Sequence, residues 1–132
     1  MSSVSNQRGA LLSQPVCLSV PASRSHVRVA RLTAAVVAER LGFDIDEIDD
    51  VLVAVDELTN ALIQAHPTSE IMFRFSPHDE EFVVDADAAV TGQPTLTKLA
   101  LQVLGAVVDD FDLSARDGHA SFRAAKHAHP RS

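Results

Sequence analysis

The segment VLVAVDELTNALIQAHP, residues 51–67, groups Asp56, Glu57 and Asn60 on the solvent side of an apolar helical stripe. Side chains four residues apart lie one turn apart on the same helix face, so a carboxylate and an amide at that spacing can meet one bound phosphate and its hard cation. The competing reading is a solvated helix face that needs no ligand. Two pairings are open: Asn60 follows Asp56 by four residues and Glu57 by three, while the fourth residue after Glu57 is Ala61. Further candidates lie in VVDADAAVTGQP, where Asp85 and Asp87 sit at a strand end entering a turn, and in TLTKLAL. There Lys98 and the backbone amides near Thr95 can meet an anion at a helix N-terminus. His127 and His129 alternate in KHAHP, but a metal site needs more ligands on a fixed scaffold, so they read as part of a polar tail. No serine, histidine and carboxylate arrangement reads as a triad.

These residues need a scaffold, and the composition supplies one. The 132 residues are 46% hydrophobic and 22% charged, the balance of a single compact domain. Eleven Lys and Arg against eighteen Asp and Glu give a formal charge of −7, which opposes attraction to nucleic acid or anionic lipid and favours a basic protein partner. There is no Trp or Tyr to stack bases. No apolar run approaches the roughly 20 residues of a membrane span, and the first residues lack the basic start and apolar run of a secretory signal. A cytoplasmic location is therefore expected. The single Cys17, set in PVCLSV, reads as a small core hydrophobe.

Along the chain, residues 1–15 are polar and small and read as a flexible arm, residues 16–126 as the folded domain, and residues 127–132 as a polar tail. VCLSV alternates as a strand ended by Pro21. From Ser23 or Ser25 to Leu41, Val29, Leu32, Val36 and Val37 recur at helical spacing, and Gly42 is placed for a left-handed cap. Asp44 and Glu47 form a capping box for the second helix, whose stripe is Ile48, Val51, Leu52, Val55, Leu58 and Leu62 and whose stop is Pro67. IMFRF and EEFVVDADA flank SPHD as a hairpin, with Pro77 presetting the bend. A third helix puts Leu96, Leu99, Val103 and Val107 on one face, and two final strands meet at Asp117-Gly118. The order β-α-α-β-β-α-β-β predicts an α+β, two-layer sandwich: a mixed sheet with helices on one face.

That order, together with VRVARLTAAVVAERLG, AVDELTNALI and VVDDFDLSARDGHASFRAAK, resembles the RsbW-like anti-sigma factor serine kinases of the GHKL, or histidine-kinase-like, ATPase superfamily, over residues 16–126. In that family an E-x-x-x-N helix supplies a glutamate as general base on a serine of an anti-anti-sigma protein and an asparagine that holds magnesium on ATP. Carried over, the base is Glu57, because AVDE keeps the apolar stripe in phase; alternatively Asp56 and Asn60 keep both roles one step round the helix. The family's D-x-G-x-G aspartate, which accepts from the adenine amino group, corresponds to Asp87, with Asp85 as the alternative.

Its glycines do not follow: Ala88, Ala89 and Val90 occupy the turn, only Gly92 lies nearby, and TLTKLAL has none. Eight residues between Asp87 and Leu96 leave no room for the family's long ATP lid. The resemblance thus implies a regulator that binds a sigma factor or an anti-anti-sigma protein in partner-switching control of transcription, its ATP binding weakened or lost. The alternative it implies is an active ATP-dependent protein serine/threonine kinase using ATP and Mg2+ through Glu57, Asp56, Asn60, Asp87 and Lys98. It also implies a homodimer through a sheet edge or the first helix.

Overall fold

The computed structural model describes residues 14–128. These form β1 (Val16–Val20), α1 (Arg24–Arg40), α2 (Ile45–Gln64), β2 (Ile71–His78), β3 (Glu81–Ala89), α3 (Lys98–Val107), β4 (Asp110–Arg116) and β5 (His119–His127), in the order expected. Most of the expected arm and tail, residues 1–13 and 129–132, lies outside the described residues, and β5 takes in His127, the first residue of that tail. The sheet runs β1-β2-β3-β5-β4 and every pair is antiparallel, which corrects the mixed sheet expected from the sequence. The cause is the position of β5. β3 and β4 point the same way and would pair in parallel as neighbours, but the last hairpin folds back and inserts β5 between them.

Local signals set the element ends. Gly42, at φ 95°, turns the chain out of α1, with its N–H donating to Glu39 O (3.0 Å) and that of Phe43 to Ala38 O (3.1 Å). The capping box is present in both directions: Asp44 Oδ1 accepts from Glu47 N and Glu47 Oε1 accepts from Asp44 N, each at 2.8 Å. His66 adopts φ 60° and ends α2 ahead of Pro67. At the first hairpin the bend lies later than expected. Asp79, at φ 55°, makes the turn, whereas Pro77 sits inside β2 opposite Phe82. The last residue of β2 paired with β1 is Phe75, so the outer edge at Pro77 is free and its missing N–H costs no ladder bond. Asp117 (φ 53°) and Gly118 (φ 77°) make the second turn as expected.

The core lies between the helix layer and one sheet face. α2 buries Val51, Val55, Leu58 and Leu62 as its stripe predicts. The other two helices are rotated from expectation. α1 turns Val27, Ala30, Ala34, Val37 and Ala38 inward and leaves Val29, Leu32 and Val36 at 44%, 63% and 47% exposure. α3 buries Ala100 and Leu104 while Leu99 is 69% exposed. The alanines of α1, Ala30, Ala34 and Ala38, allow that helix to approach a sheet already filled by Phe73, Phe75, Phe82 and Phe122, while α3 enters the core through Leu104. Cys17 is also corrected: it is exposed, because Val16, Leu18 and Val20 take the inward side of β1 and Cys17 alternates onto the bare face.

Across that bare face, register aligns Cys17, Arg74, Asp85, Arg123 and Asp112 in one row spanning all five strands. From Arg74 to Asp112, basic and acidic neighbours alternate along it, which favours this register. Arg123 Nη1 lies 3.5 Å from Asp85 Oδ1.

Candidate functional site

The residues Asp56, Glu57 and Asn60 sit midway along α2, which packs between α1 and α3. Helical phase divides them. Asp56 and Asn60 line a cleft of ≈ 310 Å³ between α1 and α2, together with Arg24, Arg28 and Arg31 of α1. Glu57, about 100° further round at 3.6 residues per turn, is half-buried and does not line that cleft. Arg31 Nε bonds both carboxylate oxygens of Asp56, at 2.8 Å and 3.0 Å, which ties α1 to α2 at the cleft floor. Val27 is buried and Ile63 half-buried beside it, giving the cleft an apolar flank.

The other expected residues lie elsewhere. Phe82, Val84, Ala86 and Ala88 take the core side of β3, so Asp85 and Asp87 alternate onto the bare sheet face. Both line a shallow surface depression that also includes Cys17, Arg74 and Arg123. Asp87 and the Asp56–Asn60 pair are therefore on opposite sides of the sheet. Lys98 is the exposed first residue of α3, whose N-cap is Thr97, with Thr97 Oγ1 accepting from Ala100 N at 3.0 Å. The structure brings together Asp56 and Asn60, and separately Asp85 and Asp87; it does not gather the full nucleotide set. His127 pairs with Glu81 (Nε2 to Oε2, 3.0 Å), and His129 lies outside the described residues. Among the described residues no group of three or more His, Cys, Asp and Glu is arranged to hold a metal ion.

The loop after β3 is strapped down at every turn. Val90 N donates to Gly118 O (2.8 Å), Thr91 N to His66 O (3.2 Å) and Gly92 N to Ala65 O (2.8 Å). Gly92 is needed for this close approach, since a Cβ there would lie 3.2 Å from Ala65 O. The backbone of this loop thus meets the β4–β5 turn and the end of α2, with Val90 and Ala65 buried.

The sequence reading missed the three arginines and one threonine. Arg24, Arg28 and Arg31 recur at i, i+4 and i+7, a spacing legible in RSHVRVAR that places them on one helix face. Thr59, fully buried on α2, has no hydrogen-bond partner for its hydroxyl. Leaving such a group unpaired costs about 1–3 kcal/mol. The near-isosteric Thr59→Val is accordingly expected to raise stability by about 1 kcal/mol; a denaturation midpoint that falls would show that the hydroxyl does have a partner.

No family profile matches the chain. Its sequence is similar to the serine-protein kinase RsbW of Oceanobacillus iheyensis, 46% identical over 54 residues, which are 40% of this chain and 34% of that protein. It is likewise similar to the RsbW of Bacillus subtilis, 37% identical over 71 residues, 51% of this chain and 44% of that protein. Its fold matches the crystal structure of the RsbU and RsbW domains of Rv1364c from Mycobacterium tuberculosis, with a TM-score of 0.67 at 15% identity over 86% of this chain and 32% of that one. The chain is thus similar to RsbW proteins in sequence over about half its length. Its fold also matches a structure of the SiaB–SiaC complex from Pseudomonas aeruginosa, with a TM-score of 0.55 at 14% identity over 96% of this chain and 98% of that one. Its matches span less than half the length of these two curated relatives. Among its described residues, no helix is long and apolar enough to cross a membrane.

Proposed function

We propose that the chain is a partner-binding regulator: an anti-sigma factor-like module that binds a sigma factor or an anti-anti-sigma protein in partner-switching control of transcription, with ATP binding weakened or lost. The observation that carries this reading is the loop over Val90–Gly92, held by its own backbone against the end of α2. A triphosphate needs free amides and glycines to approach it, and here those amides of residues 90–92 are already bonded. The curated relatives named serine-protein kinase RsbW support the family of function, and the neighbour solved as the SiaB–SiaC complex supports a fold used to hold a protein partner. The two edge strands, β1 and β4, support pairing of two copies through a sheet edge.

Calorimetry with Mg2+ and ATP tests the nucleotide half of the proposal. The expected dissociation constant is weaker than about 1 mM, less than roughly 4 kcal/mol of binding. Capture from a panel of sigma factors and anti-anti-sigma proteins tests the other half, and failure to bind any of them would remove the reading.

The second reading is an active ATP-dependent protein serine/threonine kinase, favoured by the retained Asp56–Asn60 pair. That reading takes Glu57 as the base, Asn60 for Mg2+, Asp56 and Lys98 for the phosphates and Asp87 for adenine, and it requires Asp87, on the opposite side of the sheet from Asn60, to reach the same ligand. Micromolar ATP affinity, together with phosphate transfer that a Glu57→Ala variant loses, would establish it in place of the first.

A further inference from the structure

We infer that the α1–α2 cleft recognises a dianionic phosphate monoester carried on a protein side chain, which deepens and rests on the partner-binding reading above. The argument begins with charge. Three guanidiniums, Arg24, Arg28 and Arg31, face one carboxylate, Asp56, so the cleft keeps two positive charges in a chain whose formal charge is −7. A phosphorylated side chain carries about −1.5 to −2 at neutral pH and matches that surplus, whereas a single carboxylate leaves half of it unmet.

Geometry agrees. Arg31 bonds Asp56 through Nε, and its guanidinium carries four further N–H donors on the two terminal amino groups. Arg24 and Arg28 have no ion-pair partner among the described residues, and both are exposed on α1. Asn60, exposed one turn after Asp56, adds an amide donor on the facing helix. Guanidinium forks paired with an amide suit the planar, multi-acceptor face of a phosphoryl group.

Two features favour a phosphoryl group on protein over a nucleotide. The cleft has no aromatic side chain among its lining to stack a base, and no glycine-lined backbone to admit a polyphosphate. Beside it, Val29 and Leu32 follow Arg28 and Arg31 by one residue, about 100° further round α1, and stand 44% and 63% exposed. A peptide laid along α1 would cover that apolar stripe while its phosphoryl group entered the arginine row.

The test is a nuclear magnetic resonance titration of the full chain with four probes: a capped phosphoserine peptide, the same peptide with serine, inorganic phosphate, and AMP. The phosphopeptide is expected to bind at least tenfold more tightly than its serine form, shifting the Arg24, Arg28 and Arg31 Nε–H signals and the Asn60 side-chain amide. The Arg24→Gln/Arg28→Gln double variant, which alters only exposed side chains, is expected to keep the spectrum of the folded chain and lose that preference. Equal affinity for the two peptides, or a preference that survives in the double variant, would overturn the inference. Inorganic phosphate or AMP binding as tightly as the phosphopeptide would overturn the assignment to a protein side chain. Capture of sigma factor or anti-anti-sigma protein is read separately: if it persists while the peptides show no difference, the inference fails and the proposed function stands.

Discussion

Phe73→Ala is expected to remove about 3–5 kcal/mol of folding stability, the range for truncating a buried aromatic ring. Phe73 is 2% exposed at the centre of the sheet, stacked on Phe75 at 5.8 Å between centroids and meeting the edge of Phe122 at 6.3 Å. Its register partner on β3 is Ala86, which has no side chain that could swing in to fill the space. The cavity should therefore persist, and its cost with it. A domain of this size has about 5–15 kcal/mol in total, so the variant should be half unfolded at a much lower urea concentration. A loss under about 1 kcal/mol would mean that the sheet is not packed against the helices as described.

Lys126→Ala should have the next largest effect. Lys126 is 5% exposed near the end of β5, where its Nζ donates to Val107 O at 2.9 Å and lies 3.2 Å from Asp50 Oδ2. One ammonium thus ties the last carbonyl of α3 to α2 and to the sheet. Asp50 keeps 37% side-chain exposure, so water still reaches it when the lysine is removed. The expected loss is about 2–3 kcal/mol, below the range for a fully buried pair. Hydrogen exchange should locate it, with the amides of α3 losing protection more than those of β2. Lys126→Met keeps the stem and is expected to lose less than Lys126→Ala; equal losses would mean that packing contributes nothing there.

How much of this was legible depended on how far apart the interacting residues are. The capping box of Asp44 and Glu47, the left-handed Gly42 and the Asp117-Gly118 turn were readable because each is satisfied within a few residues. The α2 stripe was readable because that helix lies in the middle of its layer and its large side chains are the buried ones. On α1 the same rule failed, since Ala30, Ala34 and Ala38 take the inward face and Val29, Leu32 and Val36 are left outside; on α3 the buried face is Ala100 and Leu104, one step round from the expected stripe. The placement of Asp85 and Asp87 was present in the alternation Phe82, Val84, Ala86, Ala88, whose apolar side meets the helices and leaves the aspartates on the other face.

Element order, caps, turns and the two-layer class followed from the sequence itself, because hydrogen bonds and hydrophobic period act over short stretches of chain. Only the tertiary structure decided that the sheet is wholly antiparallel and that the loop at Gly92 closes on α2. It alone also joined Arg31 to Asp56, twenty-five positions along the chain. Such meetings depend on how whole faces pack, and packing is settled by the combined shape of all the elements rather than by the residues beside any one of them.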